Sequence, residues 1–235
     1  MSTNDEPSAR ERGQVVLDTR MLRYLLLLFF AVIVIVLLVA SMGLNRIFQD
    51  LVLREAEKDA VRLSTVLCDS EVLRFLRTSI AAGESLSIEP EELAEFDQQM
   101  RSYLIPFNIV KIKVFSSDTR IVYSTDKNIA GMLDKENAKL AIALSGSPVS
   151  KYKKKGQVKD LAEEERFRVD IVETYVPIKE PDGKIIGSFE IYKDVTPDLA
   201  MARNALMWAE GVTLVVVIAV FILLAATLQL VSRRS

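Results

Sequence analysis

Tyr24 to Leu44 reads YLLLLFFAVIVIVLLVASMGL, twenty-one residues without one charged side chain. At ~1.5 Å of rise per residue, a helix of that length matches the ~30 Å hydrocarbon core of a bilayer. Gly211 to Val231 (GVTLVVVIAVFILLAATLQLV) is a second uncharged run of the same length, with Gln229 as its most polar side chain. Together they predict a hairpin that crosses the bilayer twice. They divide the chain into a tail (1–20), a first span (21–44), one extramembranous domain (45–206), a second span (207–231) and a short end (232–235).

Orientation follows from where the flanks keep their basic residues. Arg10, Arg12, Arg20 and Arg23 precede the first span, and Arg233 and Arg234 close the second. The positive-inside rule then puts both termini in the cytoplasm and exports residues 45–206. The first apolar run exceeds the ~7–15 residues of a signal-peptide core, which favours an uncleaved anchor. The tail before it contains Pro7 and Gly13, shows no apolar period and reads as disordered.

Between the spans, residues 45–206 hold 24 Lys+Arg and 27 Asp+Glu, a net of 24 − 27 = −3, so composition supplies no basic surface for nucleic acid. A stretch of this size suits one domain, since ~100–150 residues is the commonest domain length. Cys68 is the only cysteine and histidine is absent, which excludes an internal disulfide and the usual zinc ligand sets. A hydrolase nucleophile lacks its usual base, the carboxylates show no spacing that makes a pair, and the nine glycines form no phosphate loop. The chain is therefore not read as an enzyme, and no cofactor or metal is expected. Cys68, beside Val66 and Leu67 with no adjacent cation, reads as a small apolar filler.

After the first span, Val52, Ala56, Ala60, Leu63 and Leu67 recur at helical spacing. Two readings fit this stripe: a stalk that joins a parallel homodimer, or a helix packed on its own domain. EVLRFLRTSIAA (71–82) predicts a further helix ended by Gly83. Pro90 opens another, with Leu93, Phe96, Met100 and Leu104 on one face and Pro106 as its stop. From Asn108 the period becomes two. In NIVKIKVF, Val110, Ile112 and Val114 alternate with Lys111, Lys113 and Phe115, and after the turn SSDTR the stretch IVYST pairs back as a hairpin. A helix is expected around LDKENAKLAIALSG (133–146). Lys151, Lys153, Lys154 and Lys155 are followed by the acidic LAEEE, which together read as a solvated hairpin tip, with anionic lipid headgroups as the other reading for the lysines. RFRVDIVETYVPIKE and KIIGSFEIYKDV, separated by Pro181-Asp182-Gly183, predict a terminal antiparallel hairpin, and Thr196-Pro197 opens the last helix.

This order of elements, with IVKIKVFSSDTRIVYSTD (Ile109 to Asp126) and VETYVPIKEPDGKIIGSFEIYKDVTP (Val172 to Pro197), resembles the extracytoplasmic PAS-like sensor domains called Cache or PDC domains. The resemblance implies an α+β fold: a PAS-like antiparallel sheet with long N-terminal helices, held between two transmembrane helices. It also implies the input module of a sensor histidine kinase of a two-component system, a diguanylate cyclase or a chemoreceptor. Asp118-Thr119 stands where the family usually has Asp-Gly, and the histidine that some carboxylate-sensing members use is absent. A cytoplasmic output module is expected from a continuation of the chain beyond Ser235 or from another polypeptide.

Lys111 and Lys113 put two ammonium groups on one face of a strand, which suits a pocket for a small organic anion. Tyr123, Tyr152 and Arg168 are expected to join them from neighbouring strands; the competing reading is a face left wet. Arg168 and Tyr175 have opposite parity, so without a bulge they cannot share a face. The expected function is ligand sensing outside the membrane, passed through two spans as a helix shift. The reading from a different class is a non-sensing envelope scaffold that docks a partner.

Overall fold

The structure, a computed structural model, describes residues 19–69, 74–76, 86–162, 164–180 and 182–234. Most of the expected tail, and most of the helix expected at 71–82 with its Gly83 end, lie outside these residues. The elements are α1 (Thr19–Asp69), α2 (Leu93–Leu104), β1 (Ile109–Ser116), β2 (Ile121–Ser124), α3 (Ala138–Leu144), β3 (Val149–Lys159), β4 (Glu165–Lys179), β5 (Ile185–Asp194) and α4 (Thr196–Arg234). They belong to two compact units, one spanning Leu44–Ala205 and the other made of the segments 1–43 and 206–235. In the latter, α1 and α4 each contribute a stretch long and apolar enough to cross a membrane. Phe30 and Phe221 meet there edge to face, ring centroids 4.8 Å apart.

Residues 44–205 build one antiparallel sheet in the order β2-β1-β5-β4-β3. The last strand to form in sequence, β5, therefore lies between β1 and β4. Hydrophobic side chains at alternate positions, Ile112 and Val114 on β1, Val176 and Ile178 on β4, Phe189 and Ile191 on β5, face Ala60, Leu63 and Leu67 of α1 and Phe96, Met100 and Leu104 of α2. This is the expected α+β architecture, with the long N-terminal helix on one side of the sheet. Ala56, Ala60, Leu63 and Leu67 are all at most 2% exposed. Of the two readings of that stripe, packing on its own domain is the one observed, so these positions are closed to a homodimer partner. Lys193 of β5 reaches across this layer to form an ion pair with Asp59 of α1.

At Gly187 the backbone of β5 runs close against that of β1: a Cβ there would lie 2.2 Å from the Phe115 carbonyl oxygen. No other residue type fits that point without moving the backbone.

Three local expectations are met in part or not at all. The α-helix ends just before Pro106 as expected, but the helical path runs on through Ile105–Phe107 as a 3₁₀ turn. Proline needs no N–H in a first turn, and the reversal comes instead at Asn108, where φ is 55°. The helix expected over 133–146 is shorter, because the Asn137 side chain caps it by accepting from the backbone N–H of Lys139 and Leu140. The lysine run is not a hairpin tip but the body of β3, with Lys151 opposite Glu173, Lys153 opposite Ile171 and Lys155 opposite Val169. The strand is an edge, where lysines discourage further pairing.

Candidate functional site

The sheet face turned away from α1 and α2 carries the charge. A shift of register between Ile109 and Lys111 turns both Val110 and Lys111 toward this face, where Val110 packs with Val169, Ile171 and Tyr192. At the other end of the face, α3 covers Phe115, Ile121 and Tyr175 with Leu140 and Ala143. Between these apolar ends runs a row of ionised groups.

Glu190 is its centre. The carboxylate lies 2.7 Å from the Lys113 ammonium and accepts hydrogen bonds from the Tyr175 and Tyr192 hydroxyls, the latter at 2.7 Å. Burial and the Glu190 charge push both tyrosine pKa values well up, so both hydroxyls stay protonated as donors. Glu173, also buried, lies 2.6 Å from Lys153 and 3.2 Å from Lys155. Burial pushes its carboxyl up, but hydrogen bonds and charge from the two lysines outweigh that and hold it below its ordinary range. Lys139 of α3 is pushed down by burial and by the Lys151 and Lys153 charges, an effect that Glu173 and Glu190 offset only in part.

Beside this row opens a cleft of about 560 Å³, lined on one lip by Thr125, Asp126, Lys127 and Asn128 and on the other by Lys155, Gln157, Lys159 and Asp160, with Lys111 and Tyr192 at its base. The Lys155 ammonium lies 4.6 Å from the centroid of the Tyr192 ring. Lys111 lies 2.8 Å from Asp126, whose carboxyl it holds below the usual range by a hydrogen bond.

The residues expected to form one site divide. Lys111 and Lys113 are on the charged face. Tyr123 is on the other, buried against Phe96 and donating to Asp97 of α2 at 2.7 Å. It pairs with Val114, not with a lysine, and so inherits the helix-facing parity. Tyr152 also sits on the helix side, near Ala56 and Val172, and its hydroxyl donates to Asp170. Arg168 is exposed at a φ of 55°, opposite Gly156, at a point of the β3–β4 ladder where the register on either side is unchanged. Sequence reading missed Lys153, Lys155, Glu173, Glu190, Tyr175 and Tyr192. The period-two spacing of Lys151, Lys153 and Lys155 was the available signal.

The residues thus form an α+β arrangement: an antiparallel sheet in the order β2-β1-β5-β4-β3, with a long helix packed on one face and a charged opposite face. Among solved structures, the chain is similar to the Escherichia coli DcuS sensor domain at 15% identity, over 66% of this chain and 98% of that one, with a TM-score of 0.45. It is similar to the Vibrio cholerae histidine kinase DctB sensor domain at 9% identity, over 69% and 60% of the two chains, TM-score 0.35. A sensory box sensor histidine kinase from Vibrio cholerae is similar at 16% identity, over 46% and 98%, TM-score 0.30. No protein-family model matches the sequence, and no curated protein matches it.

Proposed function

We propose that residues 45–206 are the ligand-sensing input module of a membrane receptor, placed outside a bacterial inner membrane with both termini cytoplasmic, and that a small organic anion occupies the cleft. The observation that carries this reading is the cleft's charge: Lys111, Lys127, Lys155 and Lys159 against Asp126 and Asp160. An entering carboxylate competes with Asp126 for Lys111 and meets Lys155 over the Tyr192 ring. Lys113, engaged by Glu190, supplies field rather than a direct contact. Arg168, Tyr123 and Tyr152 drop out of the contact set on their placement.

Strand β5 is the route by which occupancy reaches the helices. Tyr192 faces the cleft, Lys193 holds Asp59 of α1, and Asp194 accepts from the backbone N–H of Thr196 at the start of α4. A ligand that shifts β5 therefore biases both bounding helices, within the ~1–2 Å range of known helix displacements. A kinase, cyclase or chemoreceptor output completes the receptor, and a homodimer, if formed, uses a surface other than the buried α1 stripe.

The test is a thermal-shift screen of carboxylates and amino acids against the full chain in lipid nanodiscs. A ligand that binds the folded state raises its melting temperature. A charge-assisted hydrogen bond contributes ~1.5–3 kcal/mol, so Lys111→Ala or Lys155→Ala weakens binding by about one to two factors of ten. A panel without any hit favours the scaffold instead.

A further inference from the structure

The two lips of the cleft have no backbone ladder between them. One leaves β2 and the other ends β3, and these are the two opposite edges of the sheet. One side chain bonds both. Arg101 of α2 donates through Nη2 to the Thr125 carbonyl at 3.2 Å and through Nη1 to the Leu161 carbonyl at 2.5 Å, while Nε donates to Asp97 Oδ2 at 2.9 Å. Thr125 is on the first lip, and Leu161 directly follows Asp160 of the second. Among the described residues, no other side chain is hydrogen-bonded to both.

The guanidinium is itself held in place. Asp97 sits one helical turn before Arg101 on α2 and also accepts from the Tyr123 hydroxyl at 2.7 Å. Burial acts to raise the Asp97 carboxyl, but the Arg101 and Tyr123 hydrogen bonds outweigh it and keep the group ionised. A planar fork pinned at one nitrogen has its other two donor directions set, so the two carbonyls it reaches are set relative to each other. This also explains what Tyr123 does on the helix side of the sheet: it orients Asp97.

We propose that Arg101 is the positioning residue of the cleft, its guanidinium fixing the spacing of the two lips and tying both to α2. The proposal rests on reading the cleft as the ligand site. The Thr125 bond is the longer of the two carbonyl bonds, so a change of lip spacing lengthens it first and frees α2 from the β2 lip while the Leu161 bond holds. Both acceptors are backbone carbonyls, which no side-chain substitution removes. Among the described residues, Arg101 is therefore the side chain whose replacement removes both bonds at once.

The experiment measures the distance between spin labels on cysteines introduced at Asn128 and Gln157, one per lip, in a Cys68→Ser background, on the full chain in lipid nanodiscs with no ligand added. The parent is expected to give a narrow distribution. Arg101→Met gives a longer mean distance and a broader spread, and so does Arg101→Lys, whose single ammonium cannot serve two carbonyls and Asp97 together. Gly187→Ala, which strains the sheet against the Phe115 carbonyl away from both lips, is the control for a merely structural role: it lowers the melting temperature while the lip distance stays near the parent's. An Arg101→Met distribution identical to the parent's, or a shift just as large in Gly187→Ala, overturns the assignment. Should Arg101→Met fail to fold, Arg101→Lys carries the comparison. Since no ligand is present, an empty carboxylate screen removes the ligand reading without altering this result, and an unmoved lip distance removes Arg101 without altering the screen.

Discussion

The Lys113 ammonium and the Glu190 carboxylate lie 2.7 Å apart in the middle of the charged sheet face, their side chains 14% and 2% exposed. A lysine whose spacing suggested a ligand contact is thus matched by a carboxylate four strands later in sequence, on the neighbouring strand β5. Removing one member of a buried pair leaves the other charge uncompensated, typically at a cost of ~3–5 kcal/mol, whereas removing both costs much less. Lys113→Met is therefore expected to be strongly destabilising, and Lys113→Met with Glu190→Gln to recover most of the loss. Denaturant unfolding of the three chains decides this. A double variant no more stable than the single one contradicts the pairing argument.

Glu173 predicts an acid limb of stability. Lys153 and Lys155 hold its carboxyl below the ordinary range despite burial. With a folded pKa below the unfolded value of ~4.3, the group's contribution is fully present above about pH 4.3 and is lost as pH falls through the folded pKa. Glu173→Gln should be less stable than the parent at neutral pH and should lose less on acidification below about pH 5. Parallel stability curves for the two chains across that range would show that Glu173 contributes nothing to the acid limb.

Gly187 is a sharp test of the β1–β5 register. A Cβ at 2.2 Å from the Phe115 carbonyl oxygen meets backbone, not a movable side chain. Gly187→Ala is expected to cost ~1–3 kcal/mol, the usual range for overpacking. Gly156→Ala, in β3 with nothing within 4 Å of the added atom, should stay within about 0.5 kcal/mol of the parent. Equal melting temperatures for the two variants would place β5 in a different register.

The proposed topology is tested by a compartment-specific reporter inserted at Asp182-Gly183, in the exposed turn between β4 and β5. With the basic residues at Arg20, Arg23, Arg233 and Arg234 retained inside, the reporter is expected to be active only when exported. Activity in the cytoplasm would invert the arrangement and take the ligand reading with it.

Much of the fold was legible because it is written in local periods. The two uncharged runs, the helix with Phe96, Met100 and Leu104 on one face, the hairpin of Ile109–Ser116 with Ile121–Ser124, and the terminal hairpin all follow from spacings of 3.6 or 2 within one segment. The misreadings are of another kind. Lys151 to Lys155 looked like a tip because charge density was weighed above alternation. Tyr123 was assigned to the lysine face because one residue of register decides the face, and that register is set by pairing with Val114.

The sequence by itself determined the two uncharged apolar runs, a single α+β domain between them, the absence of histidine and of an internal disulfide, and an alternation that puts Lys111 and Lys113 on one side of their strand. These depend only on residue type and near-neighbour spacing. Tertiary structure alone decided that β5 lies between β1 and β4, so that Glu190 meets Lys113, Lys193 meets Asp59, and Tyr192 floors the cleft. It also decided that Arg101 bridges two lips that are distant in sequence. The reason is that strand order, a bulge at Ile109–Lys111 and the closing of a gap between opposite sheet edges are set by the packing of the whole domain, to which no local period in the chain corresponds.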